Sequence, residues 1–167
     1  MEGLMECPPV DNLLLTFSYK GDTDDPYMFI RRIHHVTFMV YDQDGKLIVN
    51  QNITKRELTE YQGTKLILAP GDYTIICWGN AQENTEFYQR DLLSKGKIHH
   101  PNLMEDKLPI PTNSHLYYGT YLVTIPEEGI VNGDIPFKGA HINFEVYIRG
   151  IGTAEQPEEW PQLTVYN

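Results

Sequence analysis

Cysteine is scarce: Cys7 and Cys77 are the only two in 167 residues. Two thiols cannot staple a fold of this size, so stability has to come from an apolar core, and the length suits one domain able to build one. The pair does not fix the redox compartment. Cations are scarce as well: 13 Lys and Arg face 23 Asp and Glu, a formal net charge of -10. A chain so charged has no excess of basic residues with which to displace counterions from nucleic acid or to dock electrostatically on anionic lipid. Its acidity keeps it soluble without naming a partner. No apolar run approaches the roughly 20 residues that span a bilayer. The opening Met1-Glu2 has neither the basic stretch nor the apolar core of a secretory signal. That leaves a cytosolic chain, or a mature segment whose targeting part has been removed. Internal repeats, low-complexity tracts, a clear linker, a Gly-rich phosphate loop, a nucleophile elbow and zinc-ligand spacing are all missing.

What the sequence does have is alternation with a period of two. Leu13, Leu15, Phe17 and Tyr19 alternate with Leu14, Thr16 and Ser18 in a first strand, followed by the polar loop 21–27. Residues 33–41, IHHVTFMVY, are β-branched and aromatic and predict a second strand. Asp42-Gln43-Asp44-Gly45 turns the chain, and 46–50 returns as a hairpin partner. The polar stretch 51–63 reads as a loop with one helical turn at TKRELTEY. LILAPGDYTIICWGN reads as a β-hairpin, two strands (64–69 and 72–78) flanking a Pro70-Gly71 turn. Tyr73, Ile75 and Cys77 share one face of the second of these, and that row is expected to enter the core. Residues 80–114 lack a clean period and read as a long connection covering part of Trp78, with a short helix near 86–93. Strands at 116–125, at 140–149 and in the closing LTVYN follow, with a Gly/Pro-punctuated loop after the first of them. About seven or eight strands separated by turn signals predict an all-β sandwich.

The chemistry on offer is thin. Cys77 lies inside a strand and reads as a small buried hydrophobe. A disulfide with Cys7 and a reactive thiol stand behind that reading. His34 and His35 are neighbours in a strand and point to opposite faces, which suits no shared metal, and His99, His100, His115 and His141 match no ligand spacing. The Asp42–Gly45 stretch has the start of a calcium loop but not its closing glutamate, so a hairpin turn is expected. Asp22, Asp24 and Asp25 read as a solvated acidic loop, with weak calcium binding as the alternative. Arg31-Arg32, the only adjacent arginine pair, reads as a polar strand flank, with a protease-accessible site as its functional alternative. Tyr117, Tyr118 and Tyr121 offer sheet packing or a platform on which a sugar stacks. No enzyme, cofactor or metal site emerges.

The order of the elements carries a resemblance. CPPVDNLLLTFSY, FMVYDQDGKL (38–47), LAPGDYTIICWGN (68–80), HLYYGTYLVTI and HINFEVYIRGIG follow one another over nearly the whole chain. In this order they resemble the N-terminal domain of the fimbrillin-associated anchor proteins of Bacteroidales. The resemblance implies a transthyretin-like (Ig-like) two-sheet β-sandwich of about seven strands. It implies a non-enzymatic fimbrial anchor or accessory subunit at the cell surface, held in the outer membrane by a lipid on an N-terminal cysteine absent from this chain. Such a subunit attaches the fimbrial shaft and limits its length. Its partners would be shaft subunits (fimbrillins) or accessory subunits, met by strand addition, with no nucleic acid. Cys7 matches a second cysteine that follows the lipidated one. On this reading residues 1–10 are a tail behind a removed lipoprotein signal and 11–167 a single β-sandwich domain, without the family's second, C-terminal domain. Arg31-Arg32 lies in the region where stalk subunits are processed, although anchor members generally are not. The alternative is a cell-surface β-sandwich that binds carbohydrate or another ligand.

Overall fold

Alternation carries through to the coordinates, a computed structural model that describes residues 10–82, 85–99 and 115–140. In chain order the elements are β1 (Leu13–Tyr19), α1 (Met28–Arg32), β2 (His35–Tyr41), β3 (Leu47–Thr54) and α2 (Lys55–Glu60). Then come β4 (Gly63–Leu66), β5 (Gly71–Gly79), β6 (Glu86–Tyr88), β7 (Lys97–His99), β8 (Tyr117–Ile125) and β9 (Val131–Gly139). Seven of the strands form one sheet in the order β3-β2-β5-β8-β9-β1-β4, and β6 and β7 form a separate hairpin.

Hydrogen bonding joins the large sheet where two sheets are expected. The join is a short seam: β8 meets β9 only at Tyr117↔Gly139 and Tyr118↔Lys138. Beyond it the sheet curls, so that β9, β1 and β4 face β8, β5 and β2. Phe17 on β1 makes the curl visible, because its ring lies 6.4 Å from that of Phe38 on β2, four places away in the sheet. Phe29 of α1 and Phe137 of β9 complete an aromatic cluster about Phe17, with centroids 5.9 and 5.3 Å away. Around it pack Leu13, Leu15, Val36, Val40, Ile75, Cys77 and Ile135, all fully buried. The Tyr73 row therefore does face the core, although Tyr73 itself is half-buried and its hydroxyl donates to the Ala69 carbonyl at 2.8 Å.

Local chemistry explains the connections. Asp42 Oδ1 accepts the backbone N–H groups of Asp44 and Lys46, both at 2.9 Å, and Gly45 adopts φ 74°, so this stretch is a β2–β3 hairpin turn. The expected helical turn is α2. Thr54 and Glu57 form a reciprocal capping box at its start, and Leu58 is its buried anchor. Asn80, at φ 62°, closes β5: its Oδ1 accepts the His34 N–H at 2.9 Å and its Nδ2 donates to the Arg32 carbonyl at 2.7 Å.

Four segments differ from the sequence expectation. The strands flanking Pro70-Gly71 do not form a hairpin: β4 pairs with β1, whose Leu13 and Leu15 it helps to cover, while β5 lies between β2 and β8. Residues 28–32, between the expected loop and strand, form a helical turn rather than a strand flank, because Phe29 inserts into the aromatic cluster while the Asp25 side chain accepts the Tyr27 N–H at 2.9 Å. The expected helix near 86–93 is strand β6, paired with β7 through Phe87↔Ile98 and Tyr88↔Lys97. The Gly/Pro-punctuated stretch after β8 contains β9, which runs parallel to β1 from Leu13↔Val131 to Tyr19↔Phe137. Pro136 is tolerated there because β9 is fully registered on one side only. Most of the strand expected at 140–149 and all of LTVYN lie outside the described residues.

Candidate functional site

Cys77 is fully buried on the core side of β5 and carries a free thiol. Burial alone pushes its pKa well above the usual thiol value, so the nucleophilic thiolate is suppressed. Cys7, its candidate partner in a disulfide, lies outside the described residues.

Arg31 and Arg32 sit in the last turn of α1, not on a strand flank. Arg31 pairs with Asp25 at 2.9 Å. Arg32 lies 3.4 Å from Asp22, donates to the Tyr19 hydroxyl at 2.6 Å and stacks over the Tyr19 ring at 4.9 Å. The acidic loop thus neutralises the basic pair. A protease needs an extended substrate segment, and here the backbone is helical, with the Ile33 N–H bonded to the Phe29 carbonyl at 2.8 Å. Trypsin is expected to cut after Arg31 and Arg32 at least about tenfold more slowly in the native chain than in urea. Rapid native cleavage at this pair would restore the processing-site reading.

His34, just before β2, is exposed, and His35, its first residue, is buried. Among the described residues no group of His, Cys, Asp or Glu is arranged to hold a metal ion. His35 Nδ1 is buried without a hydrogen-bond partner, and burial pushes the imidazole pKa below its usual value. The unfolded chain takes up this proton near pH ~6.5 while the native chain resists it. Stability from this residue is therefore complete above that pH and falls as pH drops below it. Thermal melts of the wild type should lose Tm between pH 7.5 and 5.5 more steeply than those of His35→Phe; equal slopes would show that His35 does not titrate this way.

The three tyrosines do not form one platform. Tyr117 is buried, and the Tyr121 hydroxyl occupies the space where a side chain on Gly133 would sit. Tyr118 points to the outer face, where its ring lies 5.5 Å from that of its cross-strand neighbour Trp78.

That outer face holds an apolar hollow. Strand β2 is buried along its whole length, because Phe38 and its row face the core while Met39 and Tyr41 lie under the β6–β7 hairpin. Trp78 is partly covered by the same segment, as the sequence suggested. The hairpin is held down on β2 and β3: the Tyr41 hydroxyl donates to the Arg90 carbonyl at 2.8 Å, the Leu47 N–H to Asp91 O at 2.9 Å and the Leu93 N–H to Gly45 O at 2.8 Å. Between hairpin and sheet remains a cleft of about 210 Å³ walled by Met39, Ile76, Phe87 and Ile98, with Trp78 and Tyr118 also lining it. Sequence reasoning did not single out Arg90, whose guanidinium lies 5.9 Å from the Phe87 ring centroid. The available signal was the apolar content of both faces of VTFMVY, which calls for a cover on the second face.

A second feature lies at the sheet margins. Among the described residues β3 and β4 are the terminal strands, and the curl brings them together until Thr64 Oγ1 donates to Gln51 Oε1 at 3.3 Å. β4 is short and carries Lys65, whereas β3, LIVNQNIT, runs for eight residues without a charge or a proline.

Comparison with known proteins follows these lines. Among solved structures, a candidate adhesin from Bacteroides ovatus superposes with a TM-score of 0.62 at 16% identity over 76% of this chain and 46% of its own. A candidate polysaccharide-binding protein from Bacteroides thetaiotaomicron gives 0.59 at 18% identity over 75% and 46%. The fimbrial anchor protein Mfa2 from Porphyromonas gingivalis gives 0.53 at 13% identity over 76% and 49%. At these identities the likeness concerns the fold, and the chain spans about half the length of the solved structures it matches. No curated protein sequence matches. The family model described as fimbrillin-A associated anchor proteins Mfa1 and Mfa2 matches residues 4–166. With nearly every residue inside that match, on an all-β framework shared with a solved anchor protein, the chain belongs to the fimbrillin-A associated anchor family.

Proposed function

We propose that this chain is the shaft-gripping part of a fimbrial anchor subunit, one that attaches the filament to the outer membrane and limits its length. On this reading the two halves of the curled sheet act as the layers of a transthyretin-like sandwich, and an N-terminal lipid outside this sequence supplies the membrane tether. The observation that carries the reading is the β3 edge. Exposed edges are usually blunted by charge, proline or bulges, because their free N–H and C=O groups recruit foreign strands. Among the described residues β3 has a neighbour on one side only and no charge or proline; its register breaks once, at Ile48, which is 44% exposed, and from Val49 to Thr54 it runs regularly. A partner strand added there would gain main-chain hydrogen bonds for affinity and side-chain fit for specificity.

Deleting the gene in the source bacterium tests the proposal. Long fimbriae shed into the medium are expected, with rescue by the wild-type gene and poor rescue by Ile48→Lys/Asn50→Lys, which places charge on the β3 edge. Normal attached fimbriae in the deletion strain would overturn the anchor reading. The alternative, a surface carbohydrate-binding module, draws support from the solved relative described as a candidate polysaccharide-binding protein. The separation of Tyr117, Tyr118 and Tyr121 deprives it of the platform it needs, and it stands second.

A further inference from the structure

We propose that the cleft between the outer sheet face and the β6–β7 hairpin receives one apolar side chain flanked by carboxylates, presented by a segment of a partner protein. Size comes first. At about 210 Å³ the cleft is smaller than the roughly 300–1,000 Å³ typical of small-molecule sites, so it suits a single side chain. Its walls are apolar, and Trp78 and Tyr118 are of the residue types that dominate binding hot spots. Such walls offer little to the hydroxyls of a sugar, which favours a peptide over a glycan.

Charge supplies the second half of the match. Arg31, Arg32 and Arg56 each have a carboxylate within 3.4 Å. Arg90, at this cleft, has none among the described residues, and neither does Lys97 beside it. Asp91 follows Arg90 and also acts on Tyr41, but the cleft lining itself carries two cations, Arg90 and Lys97, and no carboxylate among the described residues, and in a chain of net charge -10 that lining is complementary to an acidic segment. The three hydrogen bonds that hold the hairpin down leave the cleft already formed, which reduces the ordering cost of binding. Its lining includes neither Ile48 nor Asn50 of the β3 edge, so this inference does not rest on the anchor reading, and either can fail alone.

The test is an NMR titration of the full ¹⁵N-labelled chain with acetyl-Ser-Asp-Leu-Asp-Ser-amide and with the same peptide carrying lysines in place of the aspartates. The expected result is a shift of the Trp78 indole and Ile76 amide signals, with the acidic peptide binding at least about tenfold more tightly. Arg90→Glu, or Lys97→Glu should the first variant fold poorly, is expected to abolish or invert that preference. No shift at Trp78, or equal binding of the two peptides, would overturn the proposal. Tighter binding by methyl β-glucuronide than by the acidic peptide would give the cleft to an acidic sugar instead. A concentration-dependent dimer dissolved by Arg90→Glu would give it to a second copy of this chain.

Discussion

Phe17→Ala should cost about 4 kcal/mol, near the upper end for an aromatic truncation in a core. The ring is 2% exposed and lies against Phe29 of α1, Phe38 of β2 and Phe137 of β9, so one residue on β1 ties the two facing halves of the sheet to the helical turn. None of those neighbours can collapse freely into the void, since each is fully buried and held by its own strand or helix. For a chain of this length the loss should appear as a fall of roughly 10 °C in Tm. Leu122→Ala is the matched control. That side chain is 77% exposed on the outer face of β8, and its truncation should stay within about 0.5 kcal/mol. A Phe17→Ala loss below about 1 kcal/mol would mean that the curl does not close on this ring.

Gly63→Ala is expected to be nearly as damaging, by about 3 kcal/mol, for the opposite reason: it adds an atom where there is no room. A methyl group at Gly63 would lie 1.9 Å from the Leu15 carbonyl oxygen and 2.9 Å from its carbon, both backbone atoms that no rotamer change can move. Relief requires β4 to separate from β1, breaking the register Leu13↔Leu66 to Thr16↔Gly63. Hydrogen exchange should show that loss as faster exchange in β4 ahead of β5 and β8. Gly96→Ala tests the geometry, because a methyl there meets only ordinary contacts at 3.7 Å or more and should be close to neutral. Equal effects at the two glycines would refute the close approach of β4 to β1.

Legibility in the sequence follows the range of the interactions. The Asp42–Gly45 turn and α2 were readable because their causes are local: an Asx turn and a capping box operate within a few residues. The two strands about Pro70-Gly71 were readable as strands, but not their partners, because β4 pairs with β1 and β5 with β2 and β8, all distant in sequence. β9 was not, since Gly133 and Pro136 look like loop residues until β1, far away in sequence, supplies a parallel partner, and Tyr121 fills the space above Gly133. α1 was missed because its helix is only one turn long and forms around Phe29, whose partners Phe17 and Phe137 are distant. At the candidate site, burial of the Tyr73 row and partial cover over Trp78 could be foreseen from alternation. The identity of the cover could not, because the pairing of Phe87 with Ile98 is set by tertiary contact rather than by a local period.

The parallel pairing of β1 with β9 has a consequence for biogenesis. Thr16 and Asp134 are hydrogen-bonded partners 118 residues apart in the chain. As the polypeptide emerges from the ribosome, or N-terminus first from an export channel, the strand bearing Leu13, Leu15 and Phe17 has to wait for β9 before that side is covered. Pairings so distant are slow to form because the intervening loop must close first. β1 is thus exposed on that side until β9 has been made or has crossed, which makes the nascent chain, rather than the finished domain, the stage at which a holding chaperone has most to protect.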